Sequence, residues 1–445
     1  MAEKQINVEK RMNQTDTLDD MLYKIDDRPP FGVALVLALQ HILAAFAGII
    51  AVPLVVASAI GLSVEDTSIM IAATIFVSGL TTIIQSHGLG PIGSRVSGMM
   101  GTDFTFANPA ISVGSKFGIA GIVGATIVGS FVEIILSRFV KPLMRFFPPL
   151  ITGTVVALIG ITLMPVSMDW AAGGVGAPDY GSLENIMIAF AVMVFTLILN
   201  HYGKGMWSTA SVFIGMIFGY IVCIFLGKVD LTAVAEADWV AIPNFFRYGV
   251  TFDFSSILSF IPAYIVSLIG TVGIMMAIGE ASHTPMTSER ASNGVLADGV
   301  GSLIAGVFGA GPNTAFSQNV GLITLTKVAS RYVMVLAGII LAVLGIFPKL
   351  SALISIMPQP VLGGVGVIMF GLVAAQGIKT LATVKIGDRE LLIISVSFAL
   401  GIGVTVRPEL LSNLPTPIQM VLSSGISTGT LVALILNVAL KEQEA

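Results

Sequence analysis

Charge is scarce in this sequence. Asp, Glu, Lys and Arg make up 11% of its 445 residues, against roughly 25% in an ordinary soluble domain, so the chain cannot cover itself with polar surface in water. Histidine occurs four times and cysteine once, as Cys223. A lone cysteine excludes an intrachain disulfide. Four scattered histidines and one cysteine also make neither a metal cluster nor a nucleophile–base set, which speaks against an integral-membrane enzyme. No metal or cofactor is expected. The net charge of −4, without a basic run, gives a nucleic acid nothing to hold. The first 30 residues lack the short apolar core and small-residue cleavage site of a secretory leader and read as a hydrophilic cytoplasmic tail.

What the sequence has is apolar length: 55% of it is hydrophobic. Eleven clear apolar segments run from 32–57 to 418–440, many near the ~20 residues a spanning helix needs. Three weaker, Gly-rich stretches at 95–113, 294–309 and 311–326 bring the expected count to fourteen, an all-α polytopic membrane protein. With the N-terminus inside, that count puts 17 of the 22 Lys and Arg residues on the inner side, as the positive-inside rule requires. Both termini are then cytoplasmic, in a cell (inner) membrane.

The chain also repeats itself. "PLITGTVVALIG" (149–160) and "PVLGGVGVIMFG" (360–371) share Pro and two Gly; "GTDFTFANP" (101–109) and "GPNTAFSQN" (311–319) share Gly and Phe at almost the same offset. Seven spans per half is an odd number, so the halves must be inverted, the plan of many secondary transporters. The second pair of copies falls in weak stretches where Thr102, Asp103, Asn108 and Pro109, then Pro312, Asn313, Ser317 and Gln318, interrupt the apolar run. Irregular backbone survives at membrane depth only inside protein or along a cavity. Paired broken helices, whose N-termini offer free N–H groups, point to a binding site near the bilayer midplane.

These residues carry a resemblance. "QNVGLITLTK" (318–327) fits the signature Q/E-N-x-G-x-x-x-x-T-G/R/K of the nucleobase–ascorbate transporter family at each fixed position, including Asn319, Gly321 and Thr326, and Gln40–His41 matches that family's QH pair. The resemblance extends over essentially the whole chain and suggests the bacterial xanthine/urate permease branch. It implies short strands breaking spans 3 and 10. It also implies a core domain of spans 1–4 (31–140) and 8–11 (250–347), and a gate domain of spans 5–7 (141–228) and 12–14 (348–441) that forms a homodimer. The implied function is proton symport of a purine base, xanthine or urate, by alternating access. Uracil or another nucleobase is the alternative substrate, and an anion carrier of the sulfate/bicarbonate type is the alternative class. A channel is disfavoured because the polar residues cluster at two breaks and do not form a continuous lining.

Several side chains have both a site role and a plainer one. Glu280, late in span eight, matches a family carboxylate that accepts from two base N–H groups; the plainer reading is a helix-end residue at the interface. Gln318 can donate to and accept from a base edge at once, and Gln at this place accompanies xanthine or urate in the family; otherwise it packs between helices. Phe104 and Phe316 offer faces for a flat ring, or pack in the core. Ser317 would offer its backbone N–H. Asp103, where relatives often have Asn, Ser or Thr, is a substrate contact or a cap. Asp298 and His41 are candidates for proton handling, with Glu280 and His283; "EASHTP" puts Thr284 where the family commonly has Asp or His. Glu133 is expected to pair with Arg138 at the interface.

Overall fold

The computed structural model describes residues 21–143 and 148–440. Most of the expected N-terminal tail (residues 1–20), Arg145 and Lys441 lie outside them. The helices are α1 (Phe31–Ile60), α2 (Val64–His87), α3 (Ala107–Leu136), α4 (Pro149–Ala171), α5 (Leu183–Tyr202), α6 (Ser211–Phe225), α7 (Phe254–Ala281), α8 (Ser288–Phe308), α9 (Gln318–Thr326), α10 (Arg331–Gly345), α11 (Pro348–Ser355), α12 (Gln359–Leu381), α13 (Asp388–Val406), α14 (Thr416–Ser423) and α15 (Gly425–Ala439). Strand β1 (Met100–Thr102) precedes α3 and strand β2 (Asn313–Ala315) precedes α9; a few short helical turns are left unnumbered. Among the described residues nine helices are long and apolar enough to cross a bilayer, or up to eleven if the bent pairs α10–α11 (78°) and α14–α15 (90°) each count as one.

Local chemistry sets the element ends. Asp253 accepts from Ser256 N at 2.8 Å to start α7, and Thr287 accepts from Arg290 N at 3.2 Å to start α8. Such caps satisfy donors that have no partner within the helix. The three weak stretches behave differently. Residues 294–309 lie almost wholly within α8, a regular helix, whereas 95–113 and 311–326 hold the two strands. The boundary expected between spans three and four becomes a kink inside α3 at Gly118 (φ 63°, ψ −165°), a conformation a Cβ would oppose.

Small residues bring the helices together. A Cβ on Gly377 of α12 would meet Gly153 O of α4 at 2.7 Å, so the two copies of the first repeat pack against each other. A Cβ on Gly338 of α10 would meet Gly79 O of α2 at 2.7 Å, and one on Gly299 of α8 would meet Ile134 N of α3 at 2.9 Å. Close backbone approach of this kind replaces the hydrophobic effect as the packing force within a bilayer. The second repeat pairs with its own copy too. β1 runs antiparallel to β2, with Met100 opposite Ala315 and Thr102 opposite Asn313.

Candidate functional site

The strand pair is held by hydroxyl groups from neighbouring helices. Thr82 of α2 accepts from Met100 N at 3.0 Å. On the other strand, Ser302 of α8 accepts from Asn313 N at 3.0 Å, and Thr271 of α7 accepts from Ala315 N at 3.4 Å. Phe316 N then donates to Met99 O at 2.9 Å. Two helices start directly downstream of the strands, α3 after the turn Phe104–Phe106 and α9 at Gln318. The N–H groups of their first turns have no partner within the helix.

The signature sequence divides itself between two faces of α9. Ser317, Gln318, Gly321, Thr324 and Leu325 are exposed, whereas Asn319, Leu322 and Ile323 are buried. Asn319 Nδ2 donates to His41 Nδ1 at 2.9 Å and to His41 O at 3.0 Å. The carbonyl can only accept, so it fixes the amide's orientation; Nδ1 must then accept and the ring proton sits on Nε2. His41 and Asn319 are therefore a tie between α1 and α9, and the open face belongs to Ser317 and Gln318. A Cβ on Gly321 would meet nothing within 4 Å, nor would one on Gly270 or Gly273 of α7, the helix packed against α9. Thr326 donates to Leu322 O at 2.7 Å. Lys327 ends α9 in the left-handed region (φ 58°), which explains why a signature can carry Gly there.

The remaining candidates separate. Asp103 accepts from Thr105 N at 2.8 Å and from the Thr105 hydroxyl; it caps the turn Phe104–Phe106. Phe104 is buried edge-on against Phe370 of α12, with ring centroids 5.1 Å apart. Phe316 is wedged against two glycines: a Cβ on Gly48 or Gly101 would meet its ring at 2.7 and 2.6 Å. Both rings thus have packing partners in this conformation. Asp298, wholly buried, accepts from the hydroxyls of Thr271 and Thr314, the latter at 3.4 Å. This ties α7, α8 and β2 together.

Glu280 is not brought to this centre. It is exposed one residue before the end of α7, nine residues beyond Thr271, about 13 Å along the helix axis. His283 follows it, exposed with φ 50°, its N–H donating to Glu280 O at 3.2 Å. One expectation is overturned. Glu133 does not pair with Arg138: it is 0% exposed, neither carboxylate oxygen has a hydrogen-bond partner among the described residues, and Arg138 is exposed. The cause is helical phase, since five residues turn a helix by about 500° and point the two side chains apart. Thr271, Thr314 and Phe370 were not singled out from the sequence. A hydroxyl or a phenylalanine in a long apolar helix carries no local signal, whereas Glu133, in the middle of an apolar run, carried one.

Comparison with known proteins shows the family. The model of the permease family Xan_ur_permease matches residues 32–410. A Clostridium perfringens protein provisionally named a purine permease is 57% identical, covering 97% of this chain and 96% of its own. The xanthine permease of Bacillus subtilis is 39% identical (92% and 94% covered), and the uric acid transporter UacT of Escherichia coli 38% (92% and 86%). Among solved structures, the transmembrane domain of the cyanobacterial bicarbonate transporter BicA superposes with a TM-score of 0.59 at 14% identity, covering 86% of this chain and 98% of that one. SLC26A9 gives 0.62 at 12% identity, with 92% and 66% covered; these two likenesses concern the fold alone. The chain is a multi-pass membrane protein and belongs to this permease family, the nucleobase–ascorbate transporters.

Proposed function

We propose that the protein is a secondary active transporter that takes up a purine base, xanthine or urate, by proton symport. The observation that carries this reading is the two-faced signature helix. At the start of α9, beside the strand pair, Gln318 and Ser317 face open space while Asn319 is committed to His41. A side-chain amide with both a donor and an acceptor, next to first-turn N–H groups, complements the alternating N–H and C=O groups of an oxidised purine edge. The names of the relatives, a xanthine permease and a uric acid transporter, support the same substrate class.

The reading includes the architecture expected from the sequence. Fourteen spans form a seven-plus-seven inverted repeat, with the strand-broken segments as spans 3 and 10. The core comprises 31–140 and 250–347, and the gate 141–228 and 348–441. Both termini face the cytoplasm across the inner membrane, and the gate domains form a homodimer. The packing of α4 on α12 and of β1 on β2, each element against its own copy, supports an inverted repeat. In alternating access the core carries the base past the gate, and Phe104, which touches Phe370 across that boundary, stands where the two slide. The direct base contacts are assigned to Gln318, Ser317 and the neighbourhood of Phe316. Glu280 lies exposed toward the end of α7, away from the strand pair, and is left out of the direct contacts.

Counterflow in proteoliposomes tests the reading. Labelled xanthine and urate are expected to exchange against unlabelled base, with uracil weaker and sulfate and bicarbonate inert. Exchange of bicarbonate or sulfate without purine exchange would instead assign the chain to the anion carriers that share its fold. Accumulation is expected to collapse with a protonophore and to ignore the removal of sodium.

A further inference from the structure

We propose that Glu133 and Asp298 form a buried carboxyl pair that takes up and releases the coupling proton, with Glu133 its proton-carrying member. The coupling half of this inference rests on the transport reading above; the existence of the proton site does not.

Three helices build the site. α3 contributes Glu133, α8 contributes Asp298, and α7 lines the pair with Tyr264, Ser267 and Thr271, spaced so that all three lie on one helical face. Both carboxylates are 0% exposed. Glu133 Oε1 and Oε2 and Asp298 Oδ1 have no hydrogen-bond partner among the described residues, and neither has the Ser267 hydroxyl. α3 and α8 touch at this level: a Cβ on Gly299, the neighbour of Asp298, would meet the backbone N of Ile134, the neighbour of Glu133, at 2.9 Å. The two acids therefore lie one residue from the point where α3 and α8 touch, both wholly buried in the same seam.

Other charged groups do not balance them. Of the helices packed on α3, α7 presents Tyr264, whose hydroxyl donates to Thr126 O at 2.8 Å, and α8 presents Asp298 itself. α1 has His41, already committed to Asn319, and α14 has no titratable side chain. On α3, Lys116 is exposed at the far end and Arg138 is exposed beyond the other. Two buried carboxylates without a counter-charge cannot both stay ionised in such a place. A proton neutralises one without needing a coordination shell, which suits helices whose backbones already touch. The site is also wired to the base. The same Asp298 oxygen accepts from Thr271 and Thr314, and Thr271 accepts from Ala315 N, two residues before Ser317. A change of charge at Glu133 is thus passed through Asp298 to the strand that positions the base-facing end of α9.

Infrared spectroscopy of the full-length protein, with the carboxyl carbon of its glutamates 13C-labelled, reads the site without any substrate. Above pH 6, where exposed glutamates are ionised, a titrating protonated C=O band that shifts with the label is expected. It should be lost in Glu133→Gln and displaced toward aspartate frequency in Glu133→Asp. In proteoliposomes under an inside-alkaline gradient, accumulation of labelled xanthine by Glu133→Gln is expected to fall at least about tenfold while counterflow stays measurable; Glu133→Asp restores gradient-driven uptake. Absence of a titrating glutamate band in the wild type overturns the proposal and needs no variant to fold. So does a band that persists in a monodisperse Glu133→Gln protein with undiminished accumulation. Accumulation driven by sodium and indifferent to pH overturns the choice of the proton. A wild type that carries no purine but shows the band leaves the proton site standing and removes the transport reading.

Discussion

Two helix seams of this molecule are closed in the same way, but they are not alike. α2 against α10 is the counterpart of α8 against α3: α2 and α8 each precede a strand, and α10 matches the C-terminal part of α3 at the repeat offset. Both seams close through glycine, by Gly79 and Gly338 in one and Gly299 in the other. Both lie beside a strand held by a hydroxyl, Thr82 for β1 and Thr271 for β2. The α2–α10 seam does this with small and apolar residues, Ala342 and Gly345 among them. The α3–α8 seam does it with Glu133 and Asp298 in place, both wholly buried. Packing and strand support evidently need no carboxylate. The α3–α8 seam alone carries the two acids. Asp298 also ties α7, α8 and β2 through Thr271 and Thr314, whereas Glu133 makes no hydrogen bond among the described residues, and a buried intramembrane acid is by default a mark of function.

Breaking the seams themselves should have the largest effect. Gly338→Val and Gly299→Val each drive a side chain into backbone, against Gly79 O and Ile134 N, and backbone cannot move aside cheaply. Overpacking of this kind costs about 1–3 kcal/mol or more. Both variants are expected to lose most monodisperse protein on size exclusion, to similar extents. A variant that folds normally would show that its seam is looser than described. Ala342→Glu comes next, placing a carboxylate in the seam that lacks one. With no network to receive it, it is expected to lower the midpoint in a detergent thermal-shift assay while leaving more monodisperse protein than the glycine variants do. A neutral outcome would mean that either seam can host an acid, and the contrast would lose its meaning.

Much of the candidate site was legible because its chemistry is local. The run Ser317–Gln318–Asn319 and the Gly and Pro around it announce broken helices, and Glu133 stands out in an apolar run by cost alone. Facing was harder. That Gln318 looks outward and Asn319 inward follows from the phase of a nine-residue helix whose start depends on the partner strand, a contact over 200 residues away in sequence. Glu280 shows the converse difficulty. Its placement late in an apolar segment suggested a midplane site, but α7 runs through the strand level at Thr271 and continues past it, so length along the helix decided what composition could not. Glu133 was misassigned because Arg138 is near in sequence, whereas α8, whose Gly299 lies against Ile134, is near only after folding.

Smaller effects separate binding from support at the signature helix. Asn319→Ala removes two hydrogen bonds to His41, each with a net contribution of about 0.5–1.5 kcal/mol. It is expected to lower the thermal midpoint and abolish purine exchange together. Gln318→Glu, on the exposed face, should leave the midpoint within experimental error. It replaces a donor by an acceptor and so should change the rank order of xanthine, urate and uracil in counterflow by about tenfold, or ~1.4 kcal/mol. An unchanged rank order would take Gln318 out of the site.

The smallest effect is expected at a wet carboxylate, the counterpart to the dry pair. Asp179, exposed, accepts from Asn185 Nδ2 at 2.9 Å and lies 3.6 Å from Lys228 Nζ. The Asn185 hydrogen bond first, and Lys228 with it, hold its carboxyl below the ordinary aspartate range. A depressed carboxyl adds stability above its unfolded value of about 3.9 and loses it as pH falls through the lower folded value. Water and salt screen the contribution at such a site. Asp179→Ala is therefore expected to lower the thermal midpoint by no more than about 1–2 °C at pH 6. The difference should shrink in high salt and fade as pH falls below about 4, with purine accumulation matching the wild type. Glu133→Gln should behave oppositely, with its signature in transport and little affected by salt. If Asp179→Ala altered gradient-driven uptake, burial would not be what sets the two carboxylates of the α3–α8 seam apart from those in water.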